Sequence, residues 1–198
     1  MFRDSGRHLF LVIEGVDGAG KTTIAKRIST VIGGKYIKSP PEPFAMIKQR
    51  VLETATPVAR FTYFISSNVQ ISALAKRLLN ETHVVSDRYI WSTLAYHAAI
   101  ENISPIELKK MVMPLVRVIK MPDYVIFLTV SREAQLQRLK GRLDDELQRS
   151  LLMSDQFQRR LRQAYRSVKS FFDVKWIEID TSRKSISGVI RTVEQIIS

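Results

Sequence analysis

Apolar and polar positions along the 198-residue chain alternate between two rhythms. Five short runs rich in β-branched or aromatic residues are Leu9–Ile13, Lys35–Lys38, His83–Ser86, Tyr124–Val130 and Trp176–Ile179. Between them lie stretches with the three-to-four-residue apolar spacing of helices. This alternation predicts an α/β fold in three layers, a five-stranded parallel sheet with helices on both faces. The central runs are continuously apolar, as expected of strands buried on both sides. Ligands of such sheets sit at the carboxyl ends of the strands. That edge carries the segment after Ile13, the segment after Ser39, Asp87 and the segment near Asp180.

Local signals place several helices. Thr56-Pro57 reads as a cap and first-turn proline opening a long helix with the stripe Phe61, Phe64, Ile65, Ile71, Ala75, Leu78 and Leu79. Asn68 lies on that stripe, either satisfied by local backbone or free for a ligand. A short helix is predicted over Phe44–Leu52, after the stiff loop Ser39-Pro-Pro-Glu-Pro43. Ser104-Pro105-Ile106-Glu107 has the form of a capping box for a helix towards Lys120, with a break at Pro114. Ser131 caps a further helix. From Gln156 to Lys169 a helix carries Arg159, Arg160, Arg162, Arg166 and Lys169 outside the stripe Phe157, Leu161, Ala164, Tyr165, Val168 and Phe171. His97 reads as structural or solvated.

Composition bounds the class. The hydrophobic fraction is 45%, enough for one domain over residues 1–198. With no cysteine there are no disulfides, thiolate metal sites or cysteine nucleophiles. No apolar run approaches a membrane span, and the first residues lack a signal-peptide core, so a cytoplasmic protein is expected. The formal net charge of +12 suits polyanionic ligands, nucleotides among them, and also admits nucleic acid or an anionic membrane surface.

Chemistry concentrates in Glu14-Gly-Val-Asp-Gly-Ala-Gly-Lys-Thr-Thr23. Gly15, Gly20, Lys21 and Thr22 fill the phosphate-loop spacing G-x-x-x-x-G-K-[ST] between a strand and a helix. Glycines let backbone N–H groups curl round phosphate oxygens, and the helix N-terminus adds its dipole. Lys21 can reach the outer phosphates, and the Thr22 hydroxyl is a natural Mg²⁺ ligand. Asp87-Arg88, at the end of the third strand, joins a carboxylate to a cationic fork on the same edge. Arg138, Lys140 and Arg142, followed by Asp144-Asp-Glu146, suggest a lid at about 138–150.

Together these residues resemble the thymidylate kinase family, a group with the P-loop NTPase fold. The likeness runs in order through Glu14–Thr23, Glu42-Pro43, Phe64–Gln70, Asp87-Arg-Tyr to Tyr96, Arg138–Arg142 and the Asp180 loop. It implies transfer of the γ-phosphoryl group of ATP, with Mg²⁺, to a deoxynucleoside monophosphate, dTMP foremost, by a homodimer. By the same resemblance Gly15, Gly18, Ala19, Gly20, Lys21, Thr22, Thr23 and Asp180 bind ATP, while Thr22 and Asp87 hold the metal. Asp17, Glu42, Phe64, Asn68, Arg88, Tyr89 and Tyr96 meet the acceptor. Lys21, Asp87, Arg88, Arg138 and Arg142 carry the transfer.

The departures lie on the acceptor side. Where the family shows Thr-Arg-Glu-Pro-Gly-Gly-Thr, this chain has Ser39-Pro-Pro-Glu-Pro43-Phe44, with Pro41 at the acceptor-phosphate arginine. Lys38, Arg50 and Arg60 are the candidates to replace it. Asn68 stands at the family's base-reading arginine, and His97 at a position where glutamine is common. An amide both donates and accepts, so base preference is expected to be altered or broadened. Two other readings stay open. One is a nucleoside kinase with an unphosphorylated acceptor; the other is an ATP-binding module that holds nucleic acid on its basic helix, the less favoured partner.

Overall fold

The structure, a computed structural model, describes residues 7–140 and 146–197, of which 146–149 as backbone. Five parallel strands form one sheet in the order β2-β3-β1-β4-β5. They are β1 (Phe10–Gly15), β2 (Lys35–Lys38), β3 (Val84–Asp87), β4 (Tyr124–Thr129) and β5 (Lys175–Asp180). The helices are α1 (Lys21–Val31), α2 (Phe44–Thr54), α3 (Pro57–Leu78), α4 (Ile90–Glu101), α5 (Pro105–Val116), α6 (Arg132–Leu139), α7 (Glu146–Met153), α8 (Asp155–Lys169) and α9 (Ile186–Ile197). The three-layer α/β expectation holds, with strand limits shifted by one or two residues.

All six residues of β1 are buried, which explains why this strand is apolar throughout except at Glu14. Successive strand side chains point to opposite faces. Phe10 meets Tyr89 edge-on at 5.6 Å, and Glu14 meets Ser92 and Tyr165, so this set faces α4 and α8. On that side α4 packs with α3, α5 and α8, while α1 packs with α9 and against β1, β2 and β3. Trp91, Tyr89 and Tyr165 are the largest fully buried side chains. Each stabilises the core by roughly 2–3 kcal/mol relative to exposure.

Capping follows the sequence signals at two helices, where Thr56 and Ser131 accept from Ala59 N and Ala134 N. Ser154, which carried no such expectation, caps α8 by accepting from Phe157 N. At α5 the expectation fails in two respects. Ser104 makes no side-chain capping bond, and Pro114 lies inside the helix instead of breaking it. Pro114 removes one i→i−4 bond near the C-terminal end of α5, and the helix closes two residues later.

Candidate active site

The phosphate loop begins where β1 runs closest to β4. Gly15 has φ +140°, and a Cβ there would lie 2.3 Å from the Leu128 carbonyl oxygen, so no side chain fits. Gly20, at φ +93°, is the left-handed N-cap of α1. That helix has neither a side-chain cap nor an acid in its first turn. Its first N–H groups and its dipole are therefore left to an anion.

Side chains from behind hold the loop carbonyls. Gln135 Nε2 donates to Asp17 O (2.8 Å), Arg138 Nη1 to Gly18 O (3.2 Å) and Thr181 Oγ1 to Ala19 O (3.1 Å). With three successive carbonyls bound on the α6 side, the loop amides are free to converge elsewhere, as a phosphate nest requires. The Arg138 guanidinium also donates to Thr181 O (2.6 Å) and Oγ1 (3.0 Å). Arg138, expected to neutralise charge in the lid, is here a brace for the loop. Arg142 lies outside the described residues, as do the other residues of 141–145 in the expected lid.

Lys21 is buried beneath the loop. Its Nζ donates to Val16 O at 2.7 Å and lies 3.8 Å from Asp17 Oδ1. Burial and the neighbouring Arg88 outweigh the nearby acids and lower its pKa to about 8. Beside it, Thr22 Oγ1 donates to Asp87 Oδ2 at 2.5 Å, and Tyr36 OH donates to the same oxygen at 3.2 Å. Asp87 Oδ1 is buried without a partner among the described residues. A hydroxyl and a carboxylate with one oxygen free suit a hard divalent cation. Among the described residues no cluster of three or more His, Cys, Asp or Glu could form a protein-only cage. That fits Mg²⁺, which is commonly held by one or two protein oxygens, with water and phosphate completing its shell.

On the far side of Lys21 stand Asp17, Arg88 and Tyr96. Arg88 pairs with Asp17 Oδ1, and Tyr96 OH donates to Asp17 Oδ2 at 2.6 Å. The guanidinium also lies 5.0 Å from the Tyr96 ring centroid. Burial pushes the Asp17 carboxyl up, but Arg88 and Lys21 together outweigh it, leaving a pKa of about 2. Arg88 adopts φ +76°, a strained conformation for a non-glycine residue. It persists because Arg88 N donates to Ile13 O (3.0 Å) and Arg88 O accepts from Ser86 Oγ (2.8 Å).

Glu14 supports this cluster from below. Its Oε1 accepts from Tyr89 N (2.9 Å) and Ser92 N (3.1 Å), taking the place of a cap at the start of α4. Its Oε2 accepts from Ser92 Oγ (2.5 Å) and Tyr165 OH (3.2 Å). Ser92 Oγ in turn accepts from Arg88 Nη1 at 3.2 Å. The sequence held one signal for this role, a lone acid in an otherwise apolar buried strand. Thr181 and Gln135 gave none, because their partners on the loop are more than 100 residues away in sequence.

The acceptor-side expectations divide. Phe64 is half-buried on α3, 5.7 Å from the His97 ring. Asn68, one turn further along, is fully buried, with Nδ2 donating to Thr93 Oγ1 at 2.8 Å and Oδ1 unpaired. Its partner is a side chain of α4 and not local backbone. Glu42 is exposed. Tyr89 corrects the expectation for it: the ring is buried in the core and its hydroxyl donates to Lys120 O, because its position packs on Phe10. The Asp180 carboxylate accepts from Ser182 N (2.9 Å) and Ser182 Oγ (2.5 Å), and the contact with the loop falls to Thr181 instead. Arg60 is committed to Glu101 at 2.5 Å. Lys48, an exposed residue of α2, lies within the field of Arg88, Lys38 and Asp17; partial desolvation and the two cations lower its pKa, and Asp17 opposes them. No sequence signal separated it from the other cations.

The sequence family described as thymidylate kinase matches residues 13–192. The chain belongs to the thymidylate kinase family. Its members are phosphotransferases acting on nucleotides, and this chain is an enzyme of that class. It is 26% identical to the probable thymidylate kinase of Methanocaldococcus jannaschii over 186 residues, 92% of each chain. Identity to that of Methanococcus vannielii is 27% over 162 residues, covering 80% of this chain and 77% of the relative. The structure of Candida albicans thymidylate kinase, described as revealing the origin of broad substrate specificity, superposes with TM-score 0.77 at 25% identity, over 96% and 91% of the chains. A deoxyadenosine kinase from M. mycoides shares the fold, with TM-score 0.71 at 22% identity over 96% and 100%.

Proposed function

We propose that this member of the family transfers the γ-phosphoryl group of ATP, bound with Mg²⁺, to dTMP, with a base preference broader than thymine alone. The observation that carries this is the meeting of two clusters on one loop. Lys21, Thr22 and Asp87 lie on one side of it, and Asp17, Arg88 and Tyr96 on the other, with Lys21 3.8 Å from Asp17. A donor phosphate on the loop amides therefore faces an acceptor held at Arg88.

Phosphoryl transfer passes through a loose transition state and needs positioning and charge stabilisation more than covalent help. The loop amides hold the donor phosphates, and Lys21 follows the migrating charge after leaving Val16 O. Thr22 and Asp87 would hold Mg²⁺, which would supply positive charge at the phosphate oxygens. Arg88 offers its guanidinium to the acceptor phosphate, steadied by Asp17 and Ser92, while the Tyr96 ring packs against the sugar. Lys48 takes the part of the arginine replaced by Pro41.

Base choice turns on Asn68 and Thr93. As oriented, Asn68 Oδ1 has no partner among the described residues, and the Thr93 hydroxyl, accepting from Nδ2, keeps its own hydrogen to donate. That pattern complements an amino group beside a ring nitrogen, as in cytosine. Turning the amide by 180° reverses the pattern and complements O4 and N3–H of thymine. The broad specificity described for the Candida albicans enzyme supports the same reading. Purified protein with ATP, Mg²⁺ and dTMP, dUMP, dCMP or UMP provides the test. Diphosphate formation from dTMP, with dCMP within about tenfold, or roughly 1.4 kcal/mol of discrimination, is expected. Failure to convert any monophosphate sinks the transfer reading, and strict thymine selectivity sinks the base reading.

A cytoplasmic homodimer completes the proposal. Met46, Ile47 and Leu52 on α2, with Met111, Met113 and Leu115 on α5, are exposed apolar side chains that support a second copy. Among the described residues no helix is long and apolar enough to cross a membrane. Sedimentation at micromolar concentration decides the assembly, and a monomer there removes that part.

A further inference from the structure

Beside the edge strand β5 lies a cavity of about 290 Å³, on the α8 side of the sheet. Phe127, Tyr165 and Trp176 supply its aromatic lining, and Val16 of the phosphate loop also borders it. The Phe127 and Trp176 rings are 5.2 Å apart and inclined by 31°. Trp176 Nε1 is buried and has no acceptor among the described residues. Along the rim run Arg162, Arg166 and Lys169, on successive turns of α8 and on one edge of it. At 1.5 Å per residue this row is about 10 Å long. One acid, Glu178, borders the cavity and pairs with Lys169 at 2.8 Å. Arg162 donates to Val130 O at 3.2 Å, and Arg166 is exposed with no partner among the described residues.

We infer that this groove is a second nucleotide site, taking a nucleoside triphosphate with its base on the aromatic wall and its phosphates along the α8 cations. The volume is close to the lower end for small-molecule pockets, which suits a base and sugar with the phosphates left at the rim. An aromatic face beside a cationic row selects a flat polyanion, and a row about 10 Å long suits a phosphate chain better than a single carboxylate. This assigns a purpose to the basic helix, which the transfer reaction leaves unused, and it stands independently of that reaction.

The groove also touches the transfer site from behind. Tyr165 OH donates to Glu14 Oε2 (3.2 Å) and Gly15 O (3.3 Å), and lies 2.9 Å from Ser92 Oγ. A ligand against that ring presses on the residues that hold Arg88 and the start of the loop.

The chain has two tryptophans, Trp91 and Trp176, and of these only Trp176 lines the groove. Titration of the intact protein with dTTP is expected to quench tryptophan fluorescence saturably. The quench should vanish in Trp176→Phe, weaken at least tenfold in Arg166→Glu, and survive in Lys21→Ala. Inorganic tripolyphosphate should compete without quenching. Turnover on the same samples separates the two proposals, since Arg166→Glu should still transfer phosphate at the wild-type rate. No quench at millimolar dTTP overturns the inference. So does a quench lost in Lys21→Ala but intact in Arg166→Glu, which assigns the signal to the phosphate loop. Persistence of the quench in Trp176→Phe assigns it to Trp91 and likewise overturns the inference.

Discussion

The Thr22 hydroxyl donates to Asp87 Oδ2 over 2.5 Å, joining the start of α1 to the end of β3 across 65 positions of sequence. Both groups are oxygen donors, and Asp87 keeps a second, unpaired oxygen. A pair of this kind stabilises the fold only modestly, whereas a cation placed beside it draws on both oxygens. The unpaired oxygen is therefore read as a demand for a ligand.

Asp87→Asn removes the charge and keeps an acceptor for Thr22 and Tyr36. Expected is a fall in kcat of ~10²–10³-fold, the scale for losing one electrostatic contact in a transition state. The Mg²⁺ concentration for half-maximal rate should rise, with melting temperature nearly unchanged. Metal titrations of initial rate check this, and an unaltered Mg²⁺ requirement removes Asp87 from the metal site.

Lys48→Ala tests the substitute for the missing arginine. Loss of one charge-assisted contact of about 1.5 kcal/mol should raise KM for the monophosphate roughly tenfold. KM for ATP should not move. Equal effects on both substrates would contradict the assignment of Lys48 to the acceptor.

Stability should depend on pH through Lys21. Its pKa is lowered from 10.5 to about 8, burial being the largest cause and Arg88 the next. Between those values the folded chain binds fewer protons than the unfolded one, so unfolding free energy rises with pH across that window. Below about pH 8 both states hold the proton and the cost of burying charge is felt in full. The ceiling is about 3 kcal/mol. Lys21→Met should flatten the slope relative to wild type in urea titrations at several pH values. Parallel profiles for the two proteins would show that Lys21 is not the titrating group.

Glu14→Gln turns one of two acceptor oxygens into a donor facing groups that can only donate or have other partners. Leaving such groups unsatisfied in the interior costs about 2 kcal/mol. Arg88 loses its support through Ser92, so KM for the monophosphate should rise more than KM for ATP. Tyr165→Phe, which removes the hydroxyl contacts to Glu14, Gly15 O and Ser92 Oγ but leaves the Glu14 carboxylate in place, is the comparison. A stability loss with unchanged kinetics would confine Glu14 to the fold.

Much of this protein is legible without coordinates. The switch between strand and helix periods predicts a parallel α/β sheet, because strands buried on both faces must be apolar throughout, as β1 is. The fixed spacing of Gly15, Gly20, Lys21 and Thr22 announces a phosphate loop, because a tight turn without Cβ atoms followed by a helix start has few other uses. Caps at Thr56 and Ser131 are local and were equally readable.

Tertiary structure alone decided the pairings between distant segments. Tyr89, at the start of α4, packs on Phe10 in the core, and Arg138 is turned onto the carbonyls of Gly18 and Thr181. Asn68 found its partner in Thr93 on another helix. Glu14, Gln135 and Thr181 acquired their parts from strand order and helix docking. Sequence patterns carry the periodicity and backbone chemistry of neighbouring residues. Contacts across the sheet depend on which faces meet, and the chain settles that only on folding.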